Sequence, residues 1–170
     1  MKILGEKLRK NNKGFTLAEL LIVVAIIGVL VAVSIPIFTT QLEKSRENTD
    51  IANLRAAKAA AIAMQLNDID WTATGAQDGY VITTATAGHA VATAYFDAAA
   101  GVLKGTAPTQ GYGKGTAKDG GAVNTVFGTD GSNPYSNTTS YTNQYIVVTI
   151  AEENGAITLG WASPAAGTNP

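Results

Sequence analysis

The sequence predicts an α+β protein in which one long N-terminal helix packs its second half on a small antiparallel sheet. Three observations carry this reading: an apolar run within residues 15–36, a continuation rich in helix formers as far as Leu66, and two β-patterned arms, residues 144–151 and 156–162, joined through Asn154-Gly155. After the helix about 100 residues remain, enough for one modest hydrophobic core. The expected organisation is a short leader (residues 1–14), a hydrophobic membrane-spanning helix (15–36), its amphipathic continuation (37–67), an α+β head with long Gly- and Thr-rich loops (68–162) and a flexible tail (163–170).

Residues 20–33 hold no charged side chain. A helix over residues 15–36 is roughly 33 Å long at about 1.5 Å per residue, enough to cross a bilayer core of about 30 Å. Its single charge, Glu19, stands near the start of the run. An ordinary membrane anchor gains nothing from a carboxylate that costs of order 2.5–3.5 kcal/mol at the bilayer centre, so Glu19 is a functional candidate. Residues 1–14 carry Lys2, Lys7, Arg9, Lys10 and Lys13 against Glu6, a net of +4, and the remaining 7 basic and 12 acidic residues carry −5. The basic end therefore stays cytoplasmic and the acidic remainder is exported. An acidic head lacks the clustered Lys and Arg that nucleic acid needs, so no direct nucleic-acid binding is expected.

The segment Lys13-Gly-Phe-Thr-Leu-Ala-Glu19 resembles the prepilin signature of type IV pilins and the related pseudopilins. The resemblance implies a membrane peptidase that cuts after Gly14 and methylates the new N-terminal residue, Phe15. It also implies that Glu19 neutralises the amine of Phe15 on a neighbouring subunit during assembly. Gly28 and Pro36 fall where the family helix loosens in assembled filaments. The implied function is a structural pilin subunit of a type IV pilus, for adhesion, motility or biofilm formation. The implied partners are other pilin copies, the prepilin peptidase, a membrane platform protein and an assembly ATPase. A pseudopilin of a secretion or competence system shares these first residues, and a membrane-anchored extracellular binding domain is the reading from a different class.

An ordinary secretory signal is cut after its apolar core. The implied cut at Gly14 comes before the apolar run, so that run would survive processing and hold the protein in the membrane until assembly. A proline at position 36 has no N–H to give to the Ala32 carbonyl, which predicts a kink. Past it, Ile51, Leu54, Ala61, Ile62 and Leu66 recur at helical spacings and are expected to form the buried stripe. Glu43 with Arg46, Lys44 with Glu47, and Arg46 with Asp50 fall at i,i+3 or i,i+4 and are expected to form a solvated charged face.

Residues 67–79 end the helix with turn formers. Residues 80–84 and 90–96 are short β-branched and aromatic runs that suit strands. Residues 101–141, rich in Gly, Asn, Asp, Ser and Thr, read as a long surface loop with one or two brief strands. In the C-terminal hairpin, Asn154-Gly155 suggests a type I′ turn, in which both central residues take positive φ. Ile157, Leu159 and Trp161 then form one face, directed at the helix. The tail, residues 163–170, is expected to be disordered.

Nothing in the sequence points to catalysis, and no cofactor, metal or enzymatic activity is expected. Cysteine is absent, which excludes disulfides and thiolate metal sites; by the resemblance this departs from many Gram-negative pilins, which close a C-terminal loop with a disulfide, and leans toward a pilin of the Gram-positive kind. The stretch Gly111-Tyr-Gly-Lys-Gly-Thr116 fails the Walker pattern at Pro108 and Gly115, and fails the dinucleotide fingerprint at Thr116. It reads as a flexible loop. His89 is the only histidine, so a histidine cluster is impossible. Asp119, Asp130 and Asn133 could supply oxygens to calcium but match no calcium-loop spacing, and Asn137-Thr138-Thr139 has the form of a glycosylation acceptor.

Overall fold

The computed structural model describes residues 14–73, 75–84, 88–116, 135–136 and 139–164. They fall into two units, one ending at Phe38 and the other, which we call the head, beginning at Thr39. Helix α1 (Leu17–Leu66) runs through 50 residues, with Pro36 inside it.

The head sheet contains β1 (Gly75–Ala76), β2 (Val81–Thr84), β3 (Ala90–Asp97), β4 (Val102–Lys104), β5 (Tyr145–Ala151) and β6 (Ile157–Ala162). The order is β1-β2-β3-β5-β6, with β4 also on β3, and every pairing is antiparallel. Strand β3 is the centre. One of its edges meets β2 through Ala90 to Thr93 and β4 through Tyr95 to Asp97, while its other edge meets β5. The expected strands at residues 80–84 and 90–96 are thus present, and β4 is one brief strand of the anticipated loop region.

The period of two decides which face is covered. Ala92, Ala94 and Phe96 of β3, Ile146, Val148 and Ile150 of β5, and Ile157 and Leu159 of β6 share one core with Ile51, Leu54, Ala57 and Ala61 of α1. Two members of the expected helix stripe lie outside it: Ile62 is 43% exposed and Leu66 80% exposed. The buried side of the helix instead follows Glu43, Glu47, Asp50, Leu54, Ala57 and Ala61, spaced four and three residues alternately. That spacing keeps one direction on a helix of 3.6 residues per turn. Ile62 follows Ala61 directly, so it points about 100° away.

The β5–β6 hairpin forms with the register Ile150↔Ile157, but its turn differs from the expected one. Gly155 alone takes positive φ, 64°, and its N–H donates to the Ala151 carbonyl at 2.9 Å. Asn154 stays at negative φ, and its Oδ1 accepts from the Ala156 N–H at 2.9 Å. The four-residue loop needs one left-handed position rather than two, so the asparagine serves as a cap. Gln65 Nε2 donates to the Gly155 carbonyl at 3.0 Å and ties the end of α1 to this turn.

The reading of residues 111–116 as a flexible loop is also corrected. This strap is hydrogen-bonded along its length: Tyr112 and Gly113 N–H donate to the Gln144 carbonyl, and the Gly113 carbonyl accepts from Asn143 N–H. The Tyr112 hydroxyl donates to the Phe96 carbonyl at 2.9 Å and accepts from Ile146 N–H at 3.0 Å, bridging β3 and β5 where their ladder stops. Burial pushes this phenol up to about 12. The strap glycines alternate because each meets something. A Cβ would come within 2.0 Å of Asn143 at Gly111, 2.1 Å of the Tyr141 carbonyl at Gly113 and 2.2 Å of the Tyr135 hydroxyl at Gly115. Tyr135 and Tyr141 stack at 4.5 Å, and Tyr141 lies 5.0 Å from Trp161. The supposed surface loop therefore supplies an aromatic part of the core.

Candidate functional site

The first candidate is the start of α1. Thr16 and Glu19 form a reciprocal cap, in which Thr16 Oγ1 accepts from Glu19 N–H at 3.2 Å while Glu19 Oε2 accepts from Thr16 N–H at 2.8 Å and from its hydroxyl at 2.7 Å. This is the capping box, which satisfies donors that a helix start leaves open. Its Thr-x-x-Glu signature stands in the sequence at Thr16-Leu-Ala-Glu19 and could have been read there. Gly14 and Phe15 precede the helix, and Phe15 is 85% exposed. Gly28 and Pro36 lie inside the helix, and a Cβ at Gly28 would meet nothing within 4 Å.

From Leu17 to Phe38 no apolar side chain is buried. The segment has a mean hydropathy of 3.1 over its most apolar 18 residues and is long and apolar enough to cross a membrane. An apolar helical surface with no covering requires another apolar medium, whether lipid or other helices.

The second candidate, in the head, was not anticipated. Glu43, Glu47 and Asp50 are buried, where a solvated charged face was expected. The cause lies in the strap. Lys114 N–H donates to both Asp50 oxygens at 3.0 Å, Gly115 N–H donates to Oδ2 at 2.7 Å, and the Tyr135 hydroxyl adds a further hydrogen bond. Thr116 N–H donates to Glu43 Oε1. Of the three expected ion pairs, the described residues show only Arg46 with Glu43, at 3.4 Å. Burial raises the Glu43 carboxyl, but the Thr116 N–H and Arg46 outweigh it and hold the group below the usual carboxylate range. Burial pushes Asp50 up, and its donors oppose this without reversing it.

Glu47 sits between them with both oxygens buried and no hydrogen-bond partner among the described residues. Burial first, and then the charges of Glu43 and Asp50, push its carboxyl up. The three carboxylates share the stripe of Leu54 and Ala57, which was the available sequence signal for their burial.

No grouping of three or more metal-ligating side chains is found among the described residues. His89 is exposed and belongs to no such grouping. Asp119, Asp130, Asn133, Asn137 and Thr138, the leader up to Lys13 and the tail from residue 165 lie outside the described residues.

A family profile described as "Prokaryotic N-terminal methylation motif" matches residues 9–35, a segment that contains Gly14, Phe15, Glu19 and Gly28. Fimbrial protein EcpC of Eikenella corrodens is 33% identical over 125 residues, 66% of this chain and 80% of that protein. The type IV major pilin protein PilA of Myxococcus xanthus is 50% identical over 46 residues, 27% of this chain and 21% of PilA. The type IV major alpha-pilin of Moraxella bovis is 45% identical over 52 residues, 31% of this chain and 33% of that pilin. The similarity to the latter two thus spans a third or less of their length, while EcpC is matched over most of its own. No solved structure matches the chain significantly. With a methylation motif at its start, one long apolar helix, a small antiparallel sheet and a fimbrial relative matched over four-fifths of its length, the chain belongs to the type IV pilin family.

Proposed function

We propose that this chain is the precursor of a structural subunit of a type IV pilus. The observation that carries the proposal is the uncovered apolar helix of residues 17–38 with one carboxylate, Glu19, in its first turn. Lipid covers this surface before assembly, and helices of other copies cover it afterwards, so the same residues serve as anchor and as filament core. The prepilin peptidase cuts between Gly14 and Phe15 and methylates the Phe15 amine. The amine then lies within reach of Glu19 on a neighbouring copy, and pairing the two offsets what each charge loses on leaving water. The segment from Gly28 to Pro36 is the part of the helix that yields when the filament stretches. A proline there leaves one backbone bond fewer to break.

The subunit spans the cytoplasmic membrane once before assembly and displays its head outside the cell afterwards, for attachment, motility or biofilm formation. A platform protein and an assembly ATPase drive incorporation. The chain needs no cofactor, binds nucleic acid through no basic face and performs no catalysis itself.

Mass spectrometry of material sheared from intact cells tests the processing step. The expected N-terminal peptide begins at Phe15 with a methylated amine. Recovery of the chain solely from membranes, with residues 1–14 attached, would overturn the proposal.

A further inference from the structure

The carboxylate row of the head holds one group more than its donors serve. Asp50 receives three N–H contacts from the strap and the Tyr135 hydroxyl, and Glu43 receives Thr116 N–H and Arg46. Glu47 is 1% exposed, and no donor among the described residues reaches either of its oxygens. It lies between the other two on one face of α1, beneath a strap that is bonded to both. Lys44 on the helix is the cation that acts on Glu47, Lys114 on the strap acts on Asp50, and the charges of all three carboxylates act on the Tyr135 phenol. A buried carboxylate without a donor is costly to keep ionised, and two anionic neighbours add to that cost.

We propose that Glu47 is a proton-binding site of the folded head and that its deprotonation weakens the hold of the strap 111–116 on α1. Asp50 is the poorer seat for this proton. All the contacts above require it to accept, and a protonated carboxyl would turn one accepting position into a donor. The proton bound by the row is thus assigned to Glu47 by its want of donors, although the three groups titrate as a coupled set.

The sign of the pH effect follows. Glu47 is pushed above its ordinary value of 4.5, so it contributes stability that is complete below 4.5 and is lost as pH rises through the folded-state value. Glu43 is held below 4.5, so its contribution is lost only on further acidification, outside that window. Asp50 shares the sign of Glu47, so a variant is needed to separate the two.

The experiment is thermal unfolding of the full chain in detergent micelles, followed by near-ultraviolet circular dichroism of the Trp161 and tyrosine cluster, at pH 5.5 and 8.5. The wild-type midpoint is expected to fall by about 5 °C or more across this interval. Glu47→Gln, which keeps the shape of the neutral acid, is expected to lose most of that slope and to melt above the wild type at pH 8.5. A flat wild-type profile, or a Gln variant that is less stable at pH 8.5, would overturn the proposal. A carbon-13 carboxyl titration of Glu47 with its midpoint at or below that of an exposed glutamate would do so without any variant. A rise in midpoint with calcium chloride over EDTA, absent in the variant, would also overturn it, because a cation would then occupy the place given to the proton. None of these outcomes depends on filament formation.

Discussion

Glu19→Ala and Glu19→Gln both leave the head folded and both lower the yield of sheared filaments by more than about tenfold, as expected when a charge buried between subunits loses its partner. The pair of variants matters because Glu19 has two roles to separate. In the single chain its carboxylate closes the capping box with Thr16. Glutamine at the same place still accepts from the Thr16 N–H and keeps the box. It cannot neutralise an amine. If charge pairing with Phe15 of a neighbour governs assembly, Gln fails as Ala does. If Gln assembles normally and Ala does not, the cap is the whole role of Glu19 and the pairing is wrong. The head should be indifferent to both changes, since its core begins more than thirty residues later, at Ile51.

Gly113→Ala is expected to be a severely damaging substitution in the head. The added methyl would stand 2.1 Å from the Tyr141 carbonyl oxygen and 3.0 Å from the Trp161 ring. The first of these is backbone, held by Tyr141 N–H donating to the Gly115 carbonyl, so it cannot rotate aside. Displacing the strap also strips Asp50 of its donors and leaves a buried anion unserved. The cost is about 3 kcal/mol or more, at the upper end of the range for overpacking a filled site. Gly160→Ala is the control, because its Cβ would meet nothing within 4 Å. That variant should stay within about 1 kcal/mol of the wild type, since alanine loses less entropy than glycine on entering a strand. Chemical denaturation of the two variants, followed through Trp161, checks the contrast; equal stability would show that the strap is not the rigid element described.

The parts of this molecule that were legible in the sequence are those whose cause is local. The apolar run, the cap and Glu19 lie within a few residues of one another, and strands β5 and β6 carry their own alternation around Asn154-Gly155. The buried carboxylates were not legible in the same way. The partners of Glu43 and Asp50 include backbone N–H groups more than sixty residues downstream, and a backbone donor has no side-chain signature. The four-and-three spacing of Glu43, Glu47, Asp50, Leu54, Ala57 and Ala61 was nonetheless present, and it outranked residue type. Ile51, Leu54 and Ala61 of the expected stripe lie in the core, but choosing Ile62 and Leu66 for their hydrophobicity carried it onto an exposed flank, because geometry decides which face is covered and Ala61 holds that place. Alternate glycines at 111, 113 and 115 likewise read as looseness, whereas they mark close approach to Asn143, Tyr141 and Tyr135.

The central claim is that the exposed helix of residues 17–38 becomes the interior of a filament made of many copies of this chain. Electron cryo-microscopy of filaments sheared from cells tests it most directly. The account predicts a fibre whose core is built from this helix, starting at Phe15, with Glu19 of one copy beside the Phe15 amine of another and the six-stranded heads outside. Filaments composed of another protein, with this chain left behind as a membrane-bound monomer, would contradict it.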